Sequence, residues 1–308
     1  MEPIKVQLNE VVLRDGLQLE EKILTVEEKQ QLYEALTRAG VSSYEFGAFV
    51  HPKRVPQMAN SGDFYSAIEG DAEDTSLIAL IPNLKGAERA KAFGVTEVNY
   101  VFSISNSHNL QNVQQSTEKS LEDLKAIREY CRQNGMALNV SCATTFGCPF
   151  EGEVPVDRVL TIIEEIVSLD VPLIALADTT GMANPKQVYD LMKQVLERFP
   201  QQTFNLHFHN TRGMGLANIL AGIEAGVRNF DTALGGIGGC PFAPGATGNV
   251  CTEDTVHMLH AMGIETGLEL ESLVDASTLL SELAGHASPS YLVKAGPSTR
   301  KYPIPVAQ

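Results

Sequence analysis

The sequence predicts an α/β protein whose strands form a parallel (β/α)8 barrel, with a short helical extension at the carboxyl end. Eight short β-branched runs alternate with segments of helical period, and no change in composition interrupts the series. The length of 308 residues also exceeds the roughly 250 that such a barrel requires. An open, doubly wound parallel sheet is the alternative fold for the same alternation.

The predicted strands are short runs rich in Val, Ile, Leu and Phe. They are Lys5–Val11, Ser42–Phe46, Ser76–Ile81, Glu97–Phe102, Ala137–Cys142, Leu173–Ala177, Thr203–His209 and Asn229–Leu234. The clearest helical period lies after the fifth strand, where apolar residues from Val156 to Val167 recur at intervals of three and four. The pattern changes at about Thr266. We therefore predict a barrel over residues 1–265, followed by a helical appendage and a loosely ordered tail over 266–308.

The composition excludes several classes of partner. The chain has 23 Lys and Arg against 38 Asp and Glu, a formal net charge of −15, which disfavours nucleic acids and anionic membranes. No stretch approaches the roughly 20 apolar residues of a membrane span, and the first residues show no leader pattern. Five cysteines without a CxxC pair argue against a disulfide framework. We therefore predict a cytoplasmic protein with reduced thiols.

Polar side chains collect at the carboxyl ends of the predicted strands, where barrel enzymes place their chemistry. Seven of the eight strands end in such groups, which are Arg14 and Asp15, Glu45, Asn83, Ser103 and Ser105, Ser141, Asp178, and His207 with His209. A single polar residue at a strand end usually caps the next helix. A set this large predicts side chains that converge on one mouth of the barrel.

The triplet His207-Phe208-His209 is the most informative of these segments. Residues two apart in a strand project to the same face, so both imidazoles are expected to point inward. A hydrogen-bonded polar pair is the ordinary explanation for an isolated HxH. Because Asp15 supplies a carboxylate from a strand close by in the barrel, we favour a metal site instead.

A glycine-rich segment follows the eighth strand. Residues 235–249 contain six glycines and two prolines, so they cannot form a regular element and are predicted to be a functional loop. Cys240 lies near its centre. A phosphate-binding turn with an incidental cysteine is the alternative. Asn249 at its end is predicted to be either the cap of the next helix or an oxygen ligand.

Several common catalytic motifs are absent from the sequence. It contains no GxGxxG, GxxxxGK[ST], HExxH or GxSxG. Nicotinamide-dependent, nucleotide-hydrolysing, zincin and serine-hydrolase activities are therefore disfavoured.

Specific segments resemble the 3-hydroxy-3-methylglutaryl-CoA lyase family of metal-dependent TIM barrels. Arg14-Asp-Gly-Leu-Gln18 is similar to the motif that follows the first strand of that family, and residues 238–249 are similar to its cysteine loop. Shorter similarities lie at residues 49–53, 82–86, 146–152 and 178–181. The resemblance covers about residues 8–265. The cysteine loop is its specific part, because the related condensing synthases share the metal residues but not that loop.

The resemblance implies a role for each candidate residue. It implies that Mg²⁺ or Mn²⁺ is bound by Asp15, His207, His209 and Asn249. It implies that Arg14 stabilises an enolate oxygen, that Asp178 and His207 transfer protons, that Glu45 supports the site, and that Cys240 is a proton donor or lid residue. We also expect Gln18, Asn112 and Ser141 to contact the acyl-CoA substrate.

The implied reaction is retro-Claisen cleavage of 3-hydroxy-3-methylglutaryl-CoA, or a close analogue, to acetyl-CoA and a 3-oxoacid such as acetoacetate. This reaction belongs to leucine degradation and ketone-body formation, and we expect a homodimer or a larger homo-oligomer. One alternative is a lyase for a larger 3-alkyl or a citramalyl-CoA-like ester, since Val12-Leu13 replaces the family's usual Gly-Pro. Two others are a synthase that condenses acetyl-CoA with a 2-oxoacid and a non-catalytic ligand-binding barrel.

Overall fold

The computed structural model describes residues 4–71, 75–239 and 248–303. Eight strands in these ranges form a closed barrel in chain order, and every neighbouring pair is parallel. They are β1 (Gln7–Glu10), β2 (Ser43–Ala48), β3 (Ser76–Ile81), β4 (Glu97–Ser103), β5 (Ala137–Ala143), β6 (Leu173–Asp178), β7 (Thr203–Phe208) and β8 (Asn229–Thr232). The predicted parallel barrel is confirmed, and the open sheet is excluded because β1 pairs with β8.

At least one helix follows each strand. The helices are α1 (Val26–Arg38), α2 (Ser61–Ile68), α3 (Leu84–Ala92), α4 (Asn106–Val113), α5 (Thr117–Gln133), α6 (Val156–Val167), α7 (Pro185–Arg198), α8 (Gly215–Ala225), α9 (Thr252–Ala261), α10 (Leu270–Ala284) and α11 (Tyr291–Ala295). Helix α4 is an addition between β4 and α5. Within the described ranges, no helix combines the length and the apolar character needed to cross a bilayer.

Short polar side chains determine where several helices begin. Thr25 accepts a hydrogen bond from the backbone of Glu28, whose side chain accepts one from the backbone of Thr25, so the two form a capping box at the start of α1. Asn83 and Ser105 cap α3 and α4 through a single such bond. These two strand-end residues therefore complete helices, which is the ordinary role of a polar residue at that position.

Three predicted strands extend beyond the carboxyl ends of the observed ones. The chain leaves β1 at Glu10 and enters a π-helical turn, Val12–Gly16. Strand β7 ends at Phe208, so that His209 forms an isolated antiparallel bridge with Asn249 instead. Strand β8 stops at Thr232 because a 3-10 turn begins two residues later. Each strand thus ends where the chain bends to bring polar side chains over the barrel mouth.

The interior of the barrel is polar rather than filled by branched aliphatic residues. A cavity of about 180 Å³ lies inside it, with Asn, Ser, Thr and acidic side chains in its wall. Ser141 donates to Asn99 over 2.9 Å, and Asn99 donates to Glu45 over 3.0 Å. This hydrogen-bonded wall supports the side chains at the mouth from below.

The segment after residue 265 packs on the barrel's outer helices. Helix α10 lies against α1 and α9, and the hydroxyl of Ser288 donates to the carbonyl of Gly235 over 3.0 Å. Asp254 on α9 accepts hydrogen bonds from the backbone N–H groups of Tyr291 and Leu292. The division into a barrel and an appendage at residue 265 stays a prediction.

Candidate active site

The π-helical turn after β1 brings Arg14 and Asp15 over the barrel mouth. The N–H groups of Arg14, Asp15 and Gly16 all point to the carbonyl of Val11, at 3.2, 2.8 and 3.2 Å. The turn is buried throughout, so its two charged side chains are directed inward and are held there by the backbone.

Asp15, His207 and His209 form a buried cluster at the mouth. One ligand atom from each residue lies within 4.8 Å of the others. The Nε2 atoms of the two imidazoles are 3.1 Å apart, and they lie 3.9 and 3.7 Å from Oδ2 of Asp15. The inward projection predicted for both histidines is therefore observed.

Asn249, the last residue of the glycine-rich segment, also contacts this cluster. Its bridge with His209 fixes the backbone, and its amide nitrogen donates to Oδ2 of Asp15 over 2.7 Å and to the carbonyl of Ile237 over 3.2 Å. A half-turn of the amide would exchange its nitrogen and oxygen. The structure thus brings all four predicted metal ligands together.

The charges at the site hold these groups in the forms that bind cations. Burial acts to raise the pKa of Asp15, but the charge of Arg14 and the neighbouring imidazoles outweigh it and bring that pKa well below its ordinary value. Burial and the proximity of His207 lower the pKa of His209 to about 4. At neutral pH Asp15 is therefore a carboxylate and His209 a neutral imidazole, as metal ligation requires.

Asp231 belongs to the site although no sequence pattern singles it out. Its Oδ2 lies 3.0 Å from Nδ1 of His207, and its Oδ1 accepts a hydrogen bond from Asn9 over 2.8 Å. Burial lowers the pKa of His207, but the hydrogen bond and charge of Asp231 outweigh it and raise that pKa overall. The carboxylate holds the imidazole proton on Nδ1 and leaves Nε2 directed at the cluster.

The donor set fits a hard divalent cation. One carboxylate, two imidazoles and an amide oxygen are ligands that Mg²⁺ or Mn²⁺ accepts with positions left for a substrate. With the proton of His207 on Nδ1, its Nε2 presents a lone pair to Asp15, which is already anionic. A cation between the two atoms would remove the repulsion between the Nε2 lone pair and the Asp15 carboxylate. The residues present therefore fit the metal that the sequence implied.

Arg14 lies between two carboxylates. Its guanidinium bonds to Asp15 through Nη1 and to Glu45 through Nε and Nη2. Three of its five N–H groups are thus engaged, and two remain for an oxygen of a bound molecule. Because Glu45 is also held by Asn99, the guanidinium is fixed before any ligand arrives.

Asp178 ends β6 near this cluster. One carboxyl oxygen accepts the N–H of Met182 over 2.7 Å, whereas the other is buried and has no partner in the part of the chain that the structure describes. Burial raises its pKa to about 6, against the opposing effects of its backbone hydrogen bonds and of His207. A carboxyl group that titrates near neutral pH is suited to accept and return a proton.

The other predicted site residues have different surroundings. Ser141 is buried in the barrel wall, where its hydroxyl is engaged with Asn99. Gln18 is partly buried in a 3-10 turn, and Asn112 is exposed on α4. Cys240 lies outside the described residues, so the structure does not relate it to the cluster.

Known proteins are similar to this sequence over nearly its full length. A family model described as HMGL-like matches residues 5–280. A protein of Chloroflexus aurantiacus named (R)-citramalyl-CoA lyase is 40% identical over 95% of both chains. A protein of Bacillus subtilis named hydroxymethylglutaryl-CoA lyase YngG is 38% identical over 94% of this chain and 96% of its own.

A solved structure is similar over almost its whole length. It is described as an HMG-CoA lyase from Acenitobacter baumannii in complex with coenzyme A and 3-methylmalate. It superposes with a TM-score of 0.93 at 45% identity and covers 98% of each chain.

Proposed function

We propose a substrate and a mechanism for this chain on the premise that it is a carbon–carbon lyase of the HMGL-like family. The proposed reaction is the Mg²⁺- or Mn²⁺-dependent cleavage of 3-hydroxy-3-methylglutaryl-CoA, or a close analogue, to acetyl-CoA and acetoacetate or the corresponding oxoacid. The observation that carries it is the buried cluster of Asp15, His207 and His209, with the guanidinium of Arg14 bonded to its carboxylate.

The reaction begins with proton removal from the substrate's 3-hydroxyl. The C2–C3 bond then breaks, its electron pair passes to C2, and the oxygen on C3 becomes the carbonyl of the oxoacid. A bound divalent cation would lower the pKa of that hydroxyl. Asp178 is suited to accept the proton because burial raises its pKa to about 6. His207 is the second residue proposed for proton transfer, since Asp231 stabilises a proton on its Nδ1.

Arg14 would stabilise the negative charge that develops on the thioester oxygen. Two of its N–H groups are not engaged by Asp15 or Glu45, and they are available to the enolate of the acetyl-CoA fragment. Because both carboxylates fix the guanidinium in advance, little reorganisation accompanies charge development.

The reaction ends when C2 of the enolate takes up a proton. Cys240 is our proposed donor, on the basis of the family resemblance alone. We also propose that Gln18, Asn112 and Ser141 contact the acyl-CoA. The exposed position of Asn112 on α4 is compatible with a contact outside the barrel, whereas a contact from Ser141 would require its hydroxyl to turn from Asn99.

A citramalyl-CoA-like ester is the second candidate substrate. The relative that is 40% identical and named (R)-citramalyl-CoA lyase favours it. Such an ester shares the 3-hydroxyl and the 3-methyl group but carries its carboxylate directly on C3. The same residues would carry out the same steps, and the oxoacid would be pyruvate instead of acetoacetate.

An assay of paired esters tests both proposals. The protein is incubated with 3-hydroxy-3-methylglutaryl-CoA or with each enantiomer of citramalyl-CoA, with Mg²⁺ or Mn²⁺, and both products are quantified. We expect acetyl-CoA and the matching oxoacid in equal amounts, and no product after EDTA treatment or from Asp15→Asn. Free CoA released from acetyl-CoA and a 2-oxoacid would instead identify a condensing synthase, and metal-independent cleavage would contradict the proposed site.

The assembly state is a separate proposal. We propose a homodimer or a larger homo-oligomer, by resemblance to the family. Light scattering of the purified protein at several concentrations would test it, and a monomer at every concentration would contradict it.

A further inference from the structure

Glu10 is a buried acid that the proposed reaction does not use. It ends β1, and its side chain is 1% exposed. The described residues place no cation against it: its partners are two backbone N–H groups and one hydroxyl. A carboxylate buried in such surroundings is costly unless it is neutralised.

The side chain of Glu10 holds three separate chain segments. Its Oε1 accepts from the N–H of Val12 over 2.8 Å and from the N–H of Leu234 over 2.9 Å. Its Oε2 lies 2.7 Å from the hydroxyl of Thr252. Val12 opens the turn that carries Asp15, and Thr252 follows Asn249 by three residues. One carboxyl group therefore links the segments that carry two of the proposed metal ligands.

The segment that begins at Leu234 is also connected to Asn249. Leu234 opens the 3-10 turn that runs into Ile237, and the carbonyl of Ile237 accepts from the side-chain amide of Asn249 over 3.2 Å. A displacement of Leu234 would thus reach Asn249 through its own hydrogen bond, although Glu10 itself touches none of the proposed ligands.

We infer that Glu10 is a positioning residue that fastens the turn carrying Asp15 to the two segments that hold Asn249. The inference rests on the proposed metal site. It goes beyond that site because it assigns a function to a residue outside the cluster.

The surroundings of Glu10 favour a neutral carboxyl group, because it is buried and no cation lies against it in the described part of the chain. The Thr252 hydroxyl lies 2.7 Å from Oε2 of Glu10 and 2.9 Å from the hydroxyl of Thr232, and it has a single proton for the two contacts. A proton on Oε2 would allow both contacts to be hydrogen bonds. The groups that face Glu10 electrostatically are the like-charged Glu253 and the phenol of Tyr44. Burial raises the pKa of Glu10 to about 8, and the hydrogen bonds it accepts lower it by less.

Glu10→Gln and Glu10→Leu form the decisive pair of variants. Glutamine reproduces a protonated carboxyl group, because its oxygen can accept from both backbone N–H groups while its amide donates to Thr252. Leucine has a similar volume but leaves Val12 and Leu234 with buried, unpaired N–H groups. Thr252→Val removes the hydroxyl contacts with Glu10 and Thr232 and leaves both backbone bonds to Glu10, and it replaces Glu10→Leu if that variant does not fold.

Two measurements compare these variants with the wild type. The first is amide hydrogen exchange of the metal-free protein at Val12–Gly16 and Leu234–Gly236, with α5 as the distant reference. The second is the dissociation constant for Mn²⁺ by electron paramagnetic resonance. We expect Glu10→Gln to match the wild type in both. We expect Glu10→Leu to exchange faster at both segments but not in α5, and to bind Mn²⁺ about tenfold more weakly or worse. Thr252→Val should change both in the same direction, by less.

The outcomes separate this inference from the proposed function. If Glu10→Leu exchanged and bound Mn²⁺ like the wild type, the positioning role would be wrong. If Glu10→Gln were as damaging as Glu10→Leu, the neutral form would be wrong. If the wild type bound no Mn²⁺, or Asp15→Asn bound it equally well, the proposed metal site would be wrong, and the exchange data would still decide the role of Glu10.

Discussion

His207 and His209 lie two residues apart on the same face of the barrel, yet their Nδ1 atoms have different environments. Nδ1 of His207 meets Asp231, whereas Nδ1 of His209 is buried without a partner among the described residues. The pKa of His207 is raised and that of His209 falls to about 4. Of the two, only His207 is equipped to hold a proton during a reaction cycle.

This asymmetry makes Asp231→Asn informative. We expect it to weaken Mn²⁺ binding by about 10–100-fold, because the carboxylate that orients His207 is lost. Titration followed by electron paramagnetic resonance measures the effect. Asp190→Asn, on the outer face of α7 and half-exposed, is the matched control. Equal affinity in the two variants would show that Asp231 does not orient the imidazole.

Replacement of Arg14 should act mainly on the catalytic rate. We expect Arg14→Gln to lower kcat by about 10²–10³-fold, since it removes the proposed hydrogen-bond donor to the enolate oxygen. Arg38→Gln, exposed at the end of α1, should retain the wild-type rate. Steady-state assays give the ratio, and far-ultraviolet circular dichroism checks that the barrel is intact. Near-normal turnover of Arg14→Gln would exclude the role.

At the scale of structural elements, the segment from Gly248 to Cys251 is tightly constrained. Residues 249 and 251 form bridges with His209 and Ala233, at the ends of β7 and β8. Gly248 has φ +82°, and a Cβ there would overlap the carbonyl oxygen of Gly236. Backbone packs on backbone at this point, immediately before Asn249.

Gly248→Ala should therefore displace Asn249. We expect at least about tenfold weaker Mn²⁺ binding, with the strands unchanged. Gly263→Ala is the control, because Gly263 has a similar φ of +73° but no atom lies within 4 Å of the position that an added methyl group would take. Both variants carry similar backbone strain. A difference in Mn²⁺ binding between them therefore isolates the effect of the close approach at Gly248. If both bound Mn²⁺ alike, that approach would not position Asn249.

Helix α1 is fastened to the segment before α2 by a buried lysine. The ammonium of Lys29 donates to the carbonyl of Gln57 over 2.8 Å and to Oδ1 of Asn60 over 2.6 Å. Burial lowers its pKa from 10.5 to about 8. Between these values the unfolded chain binds the proton more strongly, so the free energy of unfolding should rise with pH in that range.

Lys29→Met should remove that rise. We expect the wild type to gain on the order of 3 kcal/mol relative to Lys29→Met as the pH increases from 8 to 10.5. Urea unfolding across this range measures the gain, and Lys53→Met, at an exposed position, should behave like the wild type. Parallel pH profiles for wild type and Lys29→Met would contradict the shift.

The helices and strands could be predicted from the sequence where the local preferences of the side chains match the backbone conformation. All eight strands lie within short predicted runs or overlap them, and β3 has the predicted bounds. Capping of the next helix by Asn83 ends β3 sharply. The site was predictable where two residues form a pattern, as in His207 and His209. Asp231 and Glu10 were missed because a single acid in a short strand also suits an exposed face, and only the closed barrel shows which way it points.

For the molecule as a whole, the metal site should contribute to stability as well as to catalysis. A ligand that binds the folded state at 100 times its dissociation constant stabilises it by about 2.7 kcal/mol. We expect Mn²⁺ to raise the unfolding temperature of the wild type but not of Asp15→Asn, and EDTA to abolish the lyase rate until Mn²⁺ or Mg²⁺ is restored. Differential scanning calorimetry and the acetyl-CoA assay measure the two effects. An equal increase in unfolding temperature for both proteins would show that the ion binds at a different site.

The close approach of Gly238 and Gly248 has a consequence for the cation ligand that follows it. A Cβ on Gly248 would lie 2.5 Å from the carbonyl oxygen of Gly238, so the chain departs from and returns to nearly the same point. The side-chain amide of Asn249 is also close, because its nitrogen lies 2.7 Å from the position of a Cβ on Gly238. A residue larger than glycine at either position would therefore press on the segment that holds a proposed cation ligand.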